Sequence, residues 1–242
     1  YLQDRYEALF GSGPVDAVHR VLPNPIDATA HTRVPRERAR ERLGLRPESR
    51  VLLFVGNLIP RKDPESFVAA AALLASRGID VTAVLVGAGE QEAAARARAD
   101  AEGITGRVRF EGALRRSDLG WFYGAADVFV FPSVMESFGL VALEAMLFGL
   151  PVVGCPEVLA EVVPPHCGTR VAPRDPGALA DAVREALGRQ WDRDAIRAHA
   201  ESFDWESRIG AHEATYAEVV ATSGERRRPA GTGRPLRRYA DV

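Results

Sequence analysis

The sequence predicts an α/β fold built on a doubly wound parallel sheet of about six strands. Short apolar runs of strand length recur along the chain, and segments of helical length and period separate them. Strands that alternate with helices in this way form parallel sheets covered on both faces. Such sheets bind ligands beyond the carboxyl ends of their strands.

The elements follow in order. Residues 1–26 open with a helical pattern at Leu2, Tyr6, Leu9 and Phe10, and reach a short strand from His19 to Leu22. PNPID, Pro23 to Asp27, breaks regular structure. Charges alternate densely from Pro35 to Leu45, which reads as a solvated surface helix. VLLFVG (51–56) is a buried strand ending in glycine. Pro64 to Arg77 is an alanine-rich helix with Asp63 as cap, Pro64 in its first turn and Gly78 as stop. The cycle repeats with strand 81–87 and helix Glu90 to Glu102, then strand Arg107 to Phe110 and helix Ser117 to Ala125. Strand Asp127 to Phe131 leads to helix Gly139 to Phe148, and strand Pro151 to Val153 to a short helix, Glu157 to Val162. Strand Thr169 to Val171 precedes helix Pro176 to Leu187, and Asp192 to Ala200 is a further helix. A last helix, capped by Asp204, is expected to run to about Val220. The tail, 222–242, holds six arginines without periodicity and is expected to be disordered.

Composition narrows the function. With 242 residues, 46% of them hydrophobic, the chain has ample material for a core. A formal net charge of −2 gives no global attraction to nucleic acid. Cys155 and Cys167 form neither a disulfide framework nor a metal-binding spacing, and read as small buried hydrophobes. A reducing compartment is the default, so the expected location is the cytoplasm, with peripheral attachment to the inner membrane face as its variant. The longest apolar run, Phe138 to Val153, is interrupted by Glu144, Gly149 and Pro151 and is too short to span a bilayer. Of 31 cationic side chains the sole lysine is Lys62.

Three motifs lie at strand ends. GNLIPRKD, Gly56 to Asp63, offers a glycine for close backbone approach and a compact cation, Lys62, for an anionic ligand. Its bland alternative is a surface loop with two ordinary cations. LVGAGEQE, Leu85 to Glu92, holds Gly87 and Gly89, half of a dinucleotide fingerprint; the third glycine falls at Glu92, and Glu111 stands 22 positions after Gly89. NAD binding is the remote alternative there. The third motif, PSVMESFGLVALEAMLFGLP (132–151), places Glu136 and Glu144 eight positions apart around Gly139. Ser137 is the expected cap of the helix, and its first amides, near Phe138, Gly139 and Leu140, suit a phosphate. Glu144 is the lone charge on an apolar helix. Burial there is costly unless something hydrogen-bonds the carboxylate, and a ribose diol would. The plain alternatives are a solvated loop acid for Glu136 and an exposed helix residue for Glu144.

From Pro23 to about Val220 the chain resembles the C-terminal, donor-binding domain of the GT-B retaining glycosyltransferases of family 4 type. PNPID, VGNLIPRKD, LVGAGE, VRFEGAL, ADVFVFPSVMESFGLVALEAMLFGLPVV and the closing FDW helix carry the resemblance, in that order. Glu136 to Glu144 matches the family's EX7E motif. The resemblance implies a Rossmann-like sheet, one half of a GT-B fold, that binds a nucleotide diphosphate sugar and needs neither cofactor nor protein-bound metal. Implied donor-binding residues are Gly56, Asn57, Arg61, Lys62, Gly87, Gly89, Ser137, Phe138, Gly139, Leu140 and Glu144, with Glu136 and Lys62 as catalytic groups. Glu144 would bind the ribose, Glu136 would lie by the donor sugar, and Lys62 would hold the diphosphate.

Three departures from the family pattern stand out. Asn57 replaces a customary arginine, with Arg61 as partial substitute. The link after Val153 is only GCP. The N-terminal acceptor domain is represented by 1–26 alone, so the chain is expected to be a donor-binding half: a nucleotide-sugar-binding domain over 27–202, a cross-over helix over 203–221 and a basic tail. That helix would expose Ile209, Tyr216 and Val219 to a missing acceptor domain or to a second copy. The competing expectation is a non-catalytic remnant or interaction module that no longer binds nucleotide sugar.

Overall fold

The computed structural model describes residues 22–136, 138–154 and 162–225, with side chains to 221. Strands β1 (Arg50–Val55), β2 (Val81–Val86), β3 (Val108–Phe110), β4 (Val128–Phe131), β5 (Val152–Gly154) and β6 (Gly168–Arg170) form one sheet. Every pairing is parallel and the order is β3-β2-β1-β4-β5-β6. The helices are α1 (Arg36–Leu43), α2 (Pro64–Ser76), α3 (Glu92–Ala101), α4 (Leu119–Ala125), α5 (Leu140–Leu147), α6 (Pro176–Gly188), α7 (Arg193–Glu201) and α8 (Trp205–Glu225). This is the expected Rossmann-like α/β architecture. Strand order reverses between β1 and β4, and a crevice opens outside the carboxyl ends of the strands flanking such a reversal.

The sheet forms because its strands are apolar on both faces. In β1, Val51, Leu53 and Val55 enter one core while Leu52 and Phe54 enter the other. The first core contains Ala39 of α1, Tyr123 of α4, Leu143 and Met146 of α5, and Ile196 of α7. The second contains Phe67 and Leu74 of α2, Ala95 of α3 and Val183 of α6. Caps fix three helix starts: Asp63, Asp175 and Asp192 accept N–H bonds from Ser66, Ala178 and Ala195 at 3.2, 2.9 and 2.9 Å. Each occupies one of the helix's otherwise unpartnered first donors.

Several expectations change. Helix α1 is not simply a solvated surface helix, because Arg40 is only 2% exposed and Ala39 is fully buried. The Arg40 guanidinium reaches under the amino ends of β1 and β4. It donates to the carbonyls of Ala125, Arg46, Pro47 and Ser49 at 3.0, 3.2, 2.6 and 2.8 Å, and to Asp127 Oδ2 at 2.8 Å. Asp127 also accepts from Arg36, and from the Val51 N–H at 2.7 Å. At the other end of the sheet, Gly139 takes the N-cap of α5 at φ 83°, so the helix begins at Leu140. A side chain there would be strained, whereas glycine enters this region freely. The expected cap, Ser137, lies outside the described residues.

Helix α3 starts at Glu92, β3 at Val108 after a 3₁₀ turn, and β6 at Gly168, each within two residues of expectation. The short helix expected from Glu157 falls largely in 155–161, outside the described residues, and Val162 stands in a turn. Helix α8 continues past Val220 to Glu225, into what was expected to be tail; 226–242, like 1–21, lie outside the described residues. Ile26 bridges to Asp204, whose Oδ1 accepts the Ala28 N–H at 2.9 Å, so the first described segment is tied to the start of α8. Trp205, Ile209, Tyr216, Val219 and Val220 are exposed on that helix.

Candidate active site

The loop after β1 carries GNLIPRKD across the crevice to the loop after β4. A 3₁₀ turn, Pro60–Lys62, points its two cations there. The Val134 N–H donates to the Arg61 carbonyl at 2.8 Å, which fastens the two loops together. Lys62 is 9% exposed. Its ammonium contacts the Glu136 carboxylate and stands 4.8 Å from the centre of the Phe131 ring. Arg61 Nη1 approaches Glu136 Oε1 at 3.9 Å and donates to the Met135 carbonyl at 3.4 Å. Two residues 74 positions apart in sequence thus form the polar floor of the crevice. An ion pair in this half-buried position leaves neither charge uncompensated.

Gly87 and Gly89 have a structural role that the sequence did not reveal. A Cβ on Gly87 would sit 1.9 Å from the Gly56 carbonyl oxygen, and one on Gly89 2.3 Å from that of Leu58. The glycines let the loop after β2 press backbone to backbone against the loop that presents Lys62. Glu111, the acid that a dinucleotide reading would need, is bound by Arg109 at 2.7 Å. Neither feature requires NAD.

Glu144 is half-hidden on α5, not exposed. Its Oε2 accepts from the Tyr123 hydroxyl at 3.1 Å, its Oε1 from Arg116 at 3.1 Å, and His31 Nε2 lies 3.6 Å from Oε2. Burial pushes its pKa up, but His31, Tyr123 and Arg116 outweigh burial and leave it below the usual carboxylate range. Burial and the adjoining Glu144 charge hold the Tyr123 hydroxyl protonated, with a pKa well above that of free phenol, so it acts as a donor. The cost foreseen for a carboxylate on an apolar helix is therefore met from within the protein. His31 was not among the sequence candidates. It sits in the segment after PNPID, its ring is buried edge-on to Tyr123 with centroids 5.6 Å apart, and neither ring nitrogen has a hydrogen-bond partner.

The remaining candidates lie on the segments that follow β1 and β4. Gly56 and Asn57 follow β1, Phe138 packs against Phe203, and Leu140, 43% exposed, opens α5. Away from the crevice, one metal-type grouping escaped the sequence reading: the donor atoms of His166, Cys167 and His199 lie within 4.8 Å of one another. His199 comes from α7, so spacing around the cysteine could not show it. Burial raises the Cys167 pKa to about 11, as for the small buried hydrophobe expected.

The profile of the family described as glycosyl transferases group 1 matches residues 35–203. The chain belongs to this family. D-inositol 3-phosphate glycosyltransferase of Mycobacterium tuberculosis is 35% identical over 240 residues, 93% of this chain and 48% of that protein. The same enzyme of Mycobacterium bovis matches to the same extent, so the chain spans about half the length of these relatives. Among solved structures, sucrose-phosphate synthase from Thermosynechococcus elongatus superposes with a TM-score of 0.74 at 28% identity, covering 91% of this chain and 57% of that one. Anabaena Alr3699/HepE in complex with UDP-glucose gives 0.73 at 25% identity, covering 91% and 62%. A Rickettsia africae glycosyltransferase, at 15% identity and TM-score 0.77 over 90% and 61%, shares the fold. Among the described residues of this group 1 transferase domain, no helix is long and apolar enough to cross a membrane.

Proposed function

We propose that this chain is the donor-binding half of a retaining glycosyltransferase of family 4 type, and that it holds a nucleoside diphosphate sugar in the crevice between β1 and β4. The observation that carries this reading is the meeting of Lys62 and Glu136 across the strand reversal. Uridine diphosphate sugars are the first donors to try, because a structural relative was solved with UDP-glucose. The diphosphate displaces Glu136 from the Lys62 ammonium, with the first amides of α5 as further donors. Arg116 swings off Glu144 as a ribose hydroxyl takes its place; Arg116 is the exposed partner and the one free to move. As the anomeric carbon–oxygen bond breaks, its electron pair leaves on the diphosphate, and the fixed charge of Lys62 stabilises it. Glu136, released from Lys62, then lies beside the donor sugar. With an acceptor present, its hydroxyl oxygen bonds the anomeric carbon and its proton passes to the departing diphosphate; a phosphorylated cyclitol is the acceptor class that the mycobacterial relatives suggest.

A second reading, a remnant that no longer binds donor, is favoured by the internal partners that Glu144 and Lys62 already have. Calorimetric titration with UDP, UDP-glucose, GDP and ADP separates the two. Binding of one nucleotide that weakens in both Lys62→Ala and Glu144→Ala supports the donor site. No heat with any nucleotide leaves the remnant. Transfer by this chain alone would refute its being only half of the enzyme.

A further inference from the structure

We propose a second ligand site at the amino end of the sheet, one that binds a phosphate-bearing anion. A cavity of about 390 Å³ opens there between the start of β1, helix α1 and the α6–α7 connection. Six residues of β1 separate it from the donor crevice, roughly 20 Å at the rise of a strand. Four arginines line it, Arg36, Arg50, Arg189 and Arg193, with Asp127 as the one acidic residue.

That carboxylate is already committed. Arg36 and Arg40 both pair with it, and the Val51 N–H donates to it as well. Arg50, Arg189 and Arg193 have no carboxylate partner among the described residues. Asp192 stands next to Arg193, but its Oδ1 caps α7. Positive charge is therefore in excess, and two neighbours register it. Burial lowers the Arg40 pKa, and Arg36 and Arg50 add to the depression against the pull of Asp127. Loss of solvent lowers that of Arg193, Asp127 opposes the change, and Arg36 deepens it. An anion in the cavity would offset the part that Arg36 and Arg50 contribute.

The walls are also held in place before any ligand arrives. Arg36 is fixed by Asp127, and the Arg189 guanidinium lies 4.0 Å over the Trp191 ring. The Trp191 indole N–H in turn donates to the Ala186 carbonyl at 2.8 Å. Guanidinium groups around a concave site favour phosphate oxygens, which they bind through paired N–H donors. The phosphate can come from a free metabolite or from an anionic lipid headgroup, and the same side chains would serve either.

The test uses inorganic pyrophosphate as the soluble probe, and phosphatidylglycerol vesicles with phosphatidylcholine vesicles as control. Arg50→Ala/Arg193→Ala is compared with the intact chain. Both arginines lie at the surface, Arg193 with its guanidinium partly enclosed, and an unchanged circular dichroism spectrum with unchanged donor-site behaviour checks the fold. Pyrophosphate binding that persists in Lys62→Ala and in saturating UDP, but weakens roughly tenfold or more in the double variant, supports a metabolite site. Sedimentation with phosphatidylglycerol only, lost in the double variant, supports the headgroup. The proposal is overturned if neither probe binds, if binding is unchanged in the double variant, or if Lys62→Ala abolishes it.

Discussion

Strands β1 and β4 carry a charged cluster at each end, and the two are built on opposite principles. At the amino end, Arg40 spends its donors on four main-chain carbonyls and on Asp127, and is almost completely enclosed. At the carboxyl end, Lys62 faces Glu136 and an aromatic ring, on two loops beside an open crevice. The first cluster is a fastening in which every partner belongs to the fold. In the second, the partners are side chains that a ligand can displace. The lesson is that charge at a strand reversal does not by itself mark a ligand site; what matters is whether backbone has already consumed it.

The sharpest way to break the contrast is Arg40→Ala. Four carbonyls would lose a donor and Asp127 one of its three, so urea denaturation should show a loss of about 3–5 kcal/mol. A loss below about 1 kcal/mol would mean that the amino-end cluster is not a fastening. Lys62→Ala should act mainly on binding. Stability should fall less than in Arg40→Ala, by about 1–3 kcal/mol because Arg61 still stands near Glu136, while UDP affinity, read by calorimetry, falls roughly tenfold to a hundredfold with a lost charge-assisted bond.

Gly87→Ala probes how far the carboxyl-end loops depend on close packing. The added methyl collides with the Gly56 carbonyl, so a cost of about 1–3 kcal/mol is expected, together with weaker UDP binding as the Lys62 loop shifts. The smallest effect concerns acid stability. The Glu144 pKa is depressed on folding from its ordinary 4.5, so its contribution is complete above that value and fades as pH falls through the lower folded value. Glu144→Gln should therefore flatten the acid limb of a stability profile below about pH 4.5 and leave the slope at neutral pH unchanged.

Much of the fold was legible because it is local. Apolar strands, the Asp63 cap with Pro64, and glycines beyond helix ends each act within a few residues. The crevice residues were legible too, since Lys62, Glu136 and Glu144 sit in motifs at strand ends. Arg40 was not, because its environment is assembled from segments at Ala125, Asp127 and Ser49. His31 and the His166–Cys167–His199 grouping escaped for the same reason: their partners lie on other elements.

Hydrophobic period and turn chemistry thus determined, from the sequence alone, an α/β sheet with its candidate motifs at the carboxyl ends. Tertiary structure alone decided which charges are spent and which remain available. It buried Arg40 within a surface-patterned helix, gave Glu144 a ring of internal donors and set Lys62 against Glu136. The reason is physical: the cost of a charge depends on the atoms that surround it in space, and those atoms come from distant parts of the chain.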